Sequence, residues 1–189
     1  GNPLASSGTH ARSEWFGTAC CPSNIARLVE SVGDYIYAKS NNSLWINLFI
    51  GSSGTFTLKK RNVNVKQTTD YPWNGKVQIS VNPDRQTEFD MHIRIPGWAN
   101  NQPVPGNTYR YADLSDAKFS LLLNGSPAEY KMVNGYAVIS KKWKKGDVVV
   151  LDLPMPVRRI IAIDELKENR NRVALQRGPL VYCFEHPDN

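Results

Sequence analysis

Residues 88–95 read Glu88-Phe89-Asp90-Met91-His92-Ile93-Arg94-Ile95, a strict alternation of polar and apolar side chains. Successive Cβ atoms of an extended strand point to opposite faces, so Phe89, Met91, Ile93 and Ile95 share one face and Glu88, Asp90, His92 and Arg94 the other. That pattern describes a strand with a core on one side and water on the other, and it makes His92 a surface strand residue. Working outward, runs rich in β-branched and aromatic residues recur at 44–50, 55–60, 62–69, 76–82, 118–123, 136–141, 147–153, 157–163, 172–177 and 180–185. Turn chemistry separates them: Gly-Ser-Ser-Gly at 51–54, and the pairs Asn74-Gly75, Asn124-Gly125 and Asn134-Gly135, each a type I′ hairpin signal. Residues 96–116, with Pro103, Pro105 and Gly106, read as a long excursion between strands. Many short strands and no alternating long helices predict a mainly β chain, an antiparallel, jelly-roll-like β-sandwich, and argue against βαβ architecture.

Composition agrees with a folded domain. The 189 residues carry 23 Lys and Arg against 17 Asp and Glu, a net charge of +6, with 41% hydrophobic and 21% charged residues, which excludes a disordered chain. No apolar run approaches the roughly 18 residues of a membrane span. The basic residues cluster at Lys59-Lys60-Arg61, Lys141-Lys142 with Lys144-Lys145, Arg158-Arg159, and Arg170 with Arg172. Such clusters at strand ends and hairpin tips are solvated gatekeepers, and no zinc-finger, helix-turn-helix or RNP pattern accompanies them, so neither nucleic acid nor a membrane is an expected partner. Phosphate-cradling glycine loops are absent, which removes nucleotide cofactors.

The N-terminal part departs from the strand pattern. Ile25, Leu28, Val29, Val32 and Ile36 form the stripe of an amphipathic helix expected over 22–37, with Gly33 tolerated at about 1 kcal/mol relative to Ala. Pro22 suits its first turn. Cys20 and Cys21 therefore stand at the helix N-terminus, where unsatisfied N–H groups and the macrodipole stabilise a thiolate. Adjacent cysteines seldom bridge each other, and the third, Cys183, is distant. A stabilised thiolate suits a nucleophile or a zinc ligand; two buried structural thiols are the plainer reading. Nothing local completes a zinc site, because there is no C-x-x-C and His10, His92 and His186 are far apart.

Tryptophans beside turns have two readings as well. Trp73 and Trp98 can offer sugar-stacking platforms or close the end of the sandwich; Trp15 and Trp143 share this ambiguity, and Trp45, inside a strand run, is expected to be buried.

The run Arg12-Ser13-Glu14-Trp15-Phe16-Gly17-Thr18-Ala19-Cys20-Cys21-Pro22-Ser23-Asn24-Ile25-Ala26-Arg27 resembles the W-F-x-x-A-C-C-P-x-N-x-x-R segment of the family 127 glycoside hydrolases, the β-L-arabinofuranosidases. Tyr71-Pro72-Trp73-Asn74-Gly75, Arg94-Ile95-Pro96-Gly97-Trp98, Gly135-Tyr136 with Trp143 and Gly146-Asp147, and the stretch from Val173 to Tyr182 follow in the same order. The resemblance implies an (α/α) barrel followed by β-sandwich domains. Residues 1–40 would then be the end of the barrel with its last helix, 41–156 a β-sandwich, and 157–189 strands that continue it or start a second one. It also implies Cys20 as the nucleophile of a retaining glycosidase, and Cys20 and Cys21 as zinc ligands. The family's remaining ligands, in an E-x-C motif, and its acid/base Glu lie upstream of the double cysteine. This chain has no E-x-C; Cys183-Phe184-Glu185 is the reverse order and reads as structural, and Glu14 reads as a solvated surface residue.

The expectation is thus a C-terminal piece of a larger enzyme acting on L-arabinofuranosides or related plant glycans, with the barrel as its missing partner. The piece alone should be inactive, should hold no zinc of its own although the parent would, and should serve to buttress the barrel. A carbohydrate-binding module built on Trp73 or Trp98 is the alternative. The sequence itself fixes no compartment, though a plant-glycan substrate implies a periplasmic or secreted parent rather than a cytoplasmic one.

Overall fold

The computed structural model describes residues 20–182. Two helices come first, α1 (Cys20–Ser31) and α2 (Gly33–Ile36). The strands are β1 (Tyr37–Lys39), β2 (Ser43–Ile46), β3 (Ser52–Leu58), β4 (Arg61–Thr69), β5 (Lys76–Pro83), β6 (Thr87–Arg94), β7 (Tyr109–Tyr111) and β8 (Ser120–Leu123). They continue with β9 (Ser126–Pro127), β10 (Lys131–Val133), β11 (Tyr136–Trp143), β12 (Asp147–Asp152), β13 (Val157–Ala162), β14 (Ala174–Arg177) and β15 (Leu180–Tyr182).

The strands form three sheets, ordered β1-β2-β6-β11-β10, β3-β4-β5-β12-β8-β9 and β15-β14-β13-β7. The first two face each other across one core. Leu44, Ile46, Met91, Ile93 and Trp143 contribute from one sheet, and Leu58, Val63, Ile79, Val149 and Leu151 from the other, all fully buried. In β6 the alternation holds as the sequence dictates: Phe89, Met91, Ile93 and the following Ile95 are at most 4% exposed. Trp143 stacks on Phe89 with centroids 5.4 Å apart, and its indole N–H donates to Phe89 O at 3.0 Å, so the largest core side chain has its polar atom satisfied. The mainly β, sandwich-like fold is therefore present.

Pairing is antiparallel except between β2 and β6, which run parallel. The chain leaves β2, builds β3, β4 and β5 in the facing sheet, then returns to β6, and such a long crossover is what parallel neighbours require. The excursion over 96–116 is not structureless: its β7 pairs with β13 and carries the chain into the third sheet. The short strands β1, β9 and β10 also escape the sequence pattern.

Several local expectations change. The helix breaks at Val32-Gly33, and Tyr37 already belongs to β1. Lys59 and Lys60 are not strand but the two-residue turn between β3 and β4, both with positive φ (48° and 63°). Asn124-Gly125 and Asn134-Gly135 take positive φ at both residues, as type I′ demands. Neither Asn74 nor Gly75 does, because β4 and β5 are joined by the longer loop 70–75. Trp45 lies on the outer face of its sheet, half-buried and stacked on His92 at 4.5 Å, with Tyr136 edge-on to His92 at 6.2 Å. His92 is on the outward face as expected, and burial under these rings lowers the pKa of its imidazole, with Asp90 opposing.

Candidate thiol site at the first turn of α1

Cys20 and Cys21 open α1, and both are exposed. Three features of the sequence set this turn. Pro22 has no N–H to lose at a position where the helix offers no acceptor. Ser23 Oγ and Asn24 Nδ2 both donate back to Cys20 O, at 3.1 and 2.9 Å, which pins the carbonyl of the first helical residue. The remaining N–H groups of the turn point past the helix end, toward the side on which a negative charge is stabilised. In the sequence Ser23 and Asn24 stand only as part of a motif; polar side chains three and four residues after the first cysteine are the signal for this clamp.

The two sulfurs are 3.7 Å apart. Two thiolates on one tetrahedral zinc, each bound at about 2.3 Å, stand about 3.8 Å apart, so the pair fits two corners of such a site without rearrangement. Two corners are all it supplies. Among the described residues no group of three or more His, Cys, Asp or Glu could hold a metal. His10, Glu14, Trp15, Cys183, Glu185 and His186 lie outside the described residues.

The helix below the thiols has no partner for its stripe among the described residues. Ile25, Leu28 and Val29 are 63%, 57% and 65% exposed, and only Ile36, at the end of α2, reaches the core. In this chain both thiols are exposed rather than buried. Of the two candidate stacking residues, Trp73 is 70% exposed at the tip of the 70–75 loop, where its carbonyl accepts from Arg177 at 2.8 Å. Trp98 is half-buried against the core and walls a cavity at the end of the sandwich.

Comparison with known proteins agrees with this layout. Residues 43–155 match the "Beta-L-arabinofuranosidase, GH127 middle domain", and residues 157–189 the "Glycoside hydrolase family 127 C-terminal domain". The chain is 32% identical over 183 residues to the non-reducing end beta-L-arabinofuranosidase of Bifidobacterium longum subsp. longum, covering 94% of this chain and 25% of that protein. Among solved structures, a GH127 beta-arabinofuranosidase superposes with a TM-score of 0.88 at 38% identity, over 95% of this chain and 28% of its own. A GH127 beta-L-arabinofuranosidase from Geobacillus stearothermophilus gives a TM-score of 0.81 at 38% identity, over 96% of this chain and 26% of its own. The chain thus spans about a quarter of the length of the relatives it matches. With its middle-domain match covering more than half of its residues, the chain belongs to glycoside hydrolase family 127.

Proposed function

We propose that the chain is the C-terminal part of a retaining glycoside hydrolase acting on L-arabinofuranosides or related plant glycans, and that Cys20 is its nucleophile. The observation that carries this reading is the thiol pair exposed on a pinned helix N-terminus, in a chain of this family. The Cys20 thiolate attacks the anomeric carbon, the glycosidic C–O bond breaks, and the leaving alcohol takes a proton from an acid outside this sequence. Water then adds to the anomeric carbon, the C–S bond breaks, and its proton passes to the same group acting as base. Cys20 and Cys21 would hold zinc together with ligands from elsewhere in the parent; the bound metal supplies positive charge that keeps the thiols deprotonated. Ser23 and Asn24 position Cys20 by fixing its carbonyl.

For the 189-residue chain alone, a structural role is favoured by the open stripe of Ile25, Leu28 and Val29, which suits packing against the barrel the parent would contain. The test is hydrolysis of p-nitrophenyl β-L-arabinofuranoside by the complete enzyme and by this chain. The complete enzyme should lose about 10⁴-fold in kcat on Cys20→Ser, and the chain alone should be inactive. Activity of the chain alone that Cys20→Ser abolishes would overturn the division of labour; full activity of the complete Cys20→Ser enzyme would overturn the nucleophile.

A further inference from the structure

Where β2 and β6 run out, the sandwich ends in a cavity of about 370 Å³. Asn47 and Phe49 come from the segment after β2, Tyr71 from the 70–75 loop, Arg94 from the end of β6, Trp98 from the 3-10 turn Gly97–Asn100, and Gln102 from the proline-rich stretch that follows. These walls are held in place by the core. Buried Gln67 donates to Leu48 O at 3.1 Å, Tyr136 O–H donates to Asn47 Oδ1 at 2.9 Å, and Phe49 meets Tyr71 edge-on at 5.4 Å. The volume lies within the range of small-molecule sites and accommodates a sugar ring.

Its chemistry is one-sided. Three aromatic rings supply apolar faces, and the polar groups lean toward donors: the Arg94 guanidinium, the amides of Asn47 and Gln102, and the Trp98 indole. Among the described residues no Asp or Glu is in the lining. Trp98 Nε1 is buried and, among the described residues, closes no hydrogen bond, although it lies near enough to the Tyr71 hydroxyl to offset part of the rise that burial gives that phenol. Tyr71 therefore keeps its proton and adds another donor. Among the described residues Arg94 makes no ion pair.

We propose that this cavity is an accessory saccharide site that takes one acidic sugar, a uronic acid unit of a glycan, with its ring against Trp98 and Tyr71 and its carboxylate on Arg94. The sugar class rests on the glycan-processing reading above; the acidic character rests on a guanidinium that, among the described residues, has no ion-pair partner and shares its lining with no acid. A neutral furanose would fill the ring space and give Arg94 no counter-charge, whereas a carboxylate gains charge-assisted hydrogen bonds.

Calorimetric titration of the chain with α-1,4-galacturonotriose, and with L-arabinotriose as the neutral comparison, tests this. The acidic trimer should bind saturably, with affinity at least about tenfold above the neutral one and falling about tenfold in Arg94→Gln. Arg94 is exposed, so unchanged thermal unfolding of that variant checks that the fold is kept. Trp98→Phe, which keeps a ring and removes the N–H, should also weaken binding. No saturation by about 10 mM trimer, equal binding of the two trimers, or binding indifferent to Arg94→Gln would each overturn the site. The binding is read on this chain and the hydrolysis on the complete enzyme, so failure of the site and failure of the proposed catalytic role appear in different measurements.

Discussion

Gly75 and Leu153 approach as closely as backbone allows. Leu153 N–H donates to Gly75 O at 3.0 Å, and a Cβ on Gly75 would stand 1.8 Å from Leu153 O. The contact ties the 70–75 loop to the residue that follows β12, beside fully buried Val77 and Leu151. The glycine that the sequence offered as a hairpin signal is needed here for close approach.

Gly75→Ala should therefore destabilise the chain by about 3 kcal/mol, because the atom it meets is backbone and cannot rotate away. That corresponds to a fall of about 6–12 °C in Tm. Gly51→Ala, where a new Cβ meets nothing within 4 Å and φ is not positive, is the control and should stay within about 0.5 kcal/mol of the parent.

Asp147 is fully buried, and burial alone would raise its pKa. The Lys144 N–H at 2.9 Å, the Asn124 amide at 2.9 Å and the charges of Lys141 and Lys144 outweigh it and hold the carboxyl below its ordinary value. A depressed native pKa gives stability that is full above the unfolded-state value and lost as pH falls through the native one. Asp147→Asn should cost stability near neutrality, and the gap from the parent should narrow below about pH 4. Denaturant unfolding at several pH values reads this; a gap that widens in acid would contradict it. Asp147→Ala should cost about 2–3 kcal/mol, since Asn124 and the Lys144 N–H lose a charged acceptor.

Lys59 and Lys60 occupy a turn whose left-handed backbone disfavours residues with a Cβ, Asn less than most. Replacing them with Asn-Gly should stabilise the chain by about 1 kcal/mol, raising Tm by about 2–4 °C. The gain should persist in high salt, which distinguishes relief of backbone strain from relief of charge repulsion.

Metal analysis separates the chain from its proposed parent. Two sulfurs offer half of a tetrahedral set, so the purified chain should carry no stoichiometric zinc, and the complete enzyme should carry one per chain. One zinc per isolated chain would mean that residues within this sequence complete the site.

Much of the fold is legible because β alternation is a local property. The buried face of β6, the type I′ turns at Asn124 and Asn134, the strand β8 that leads into the first and the strand β11 that leaves the second follow from Cβ direction and backbone sterics. The short strands β7, β9 and β10 were not legible, because three residues or fewer carry no period, and β7 exists only through its pairing with β13. The two thiols were legible from their place before the apolar stripe and from the family resemblance. The Trp98 cavity was not, because its walls come from five separate stretches of chain.

By itself the sequence determined a sandwich of alternating strands behind a short amphipathic helix with a thiol pair at its start. Those features depend on residues within a few positions of one another. Tertiary structure alone decided that β2 and β6 run parallel, that Trp45 faces outward while Trp98 lines a cavity, and that no described residue covers Ile25, Leu28 and Val29. Each of these depends on which distant strand becomes a neighbour, and that is settled by burying one shared core rather than by any local pattern.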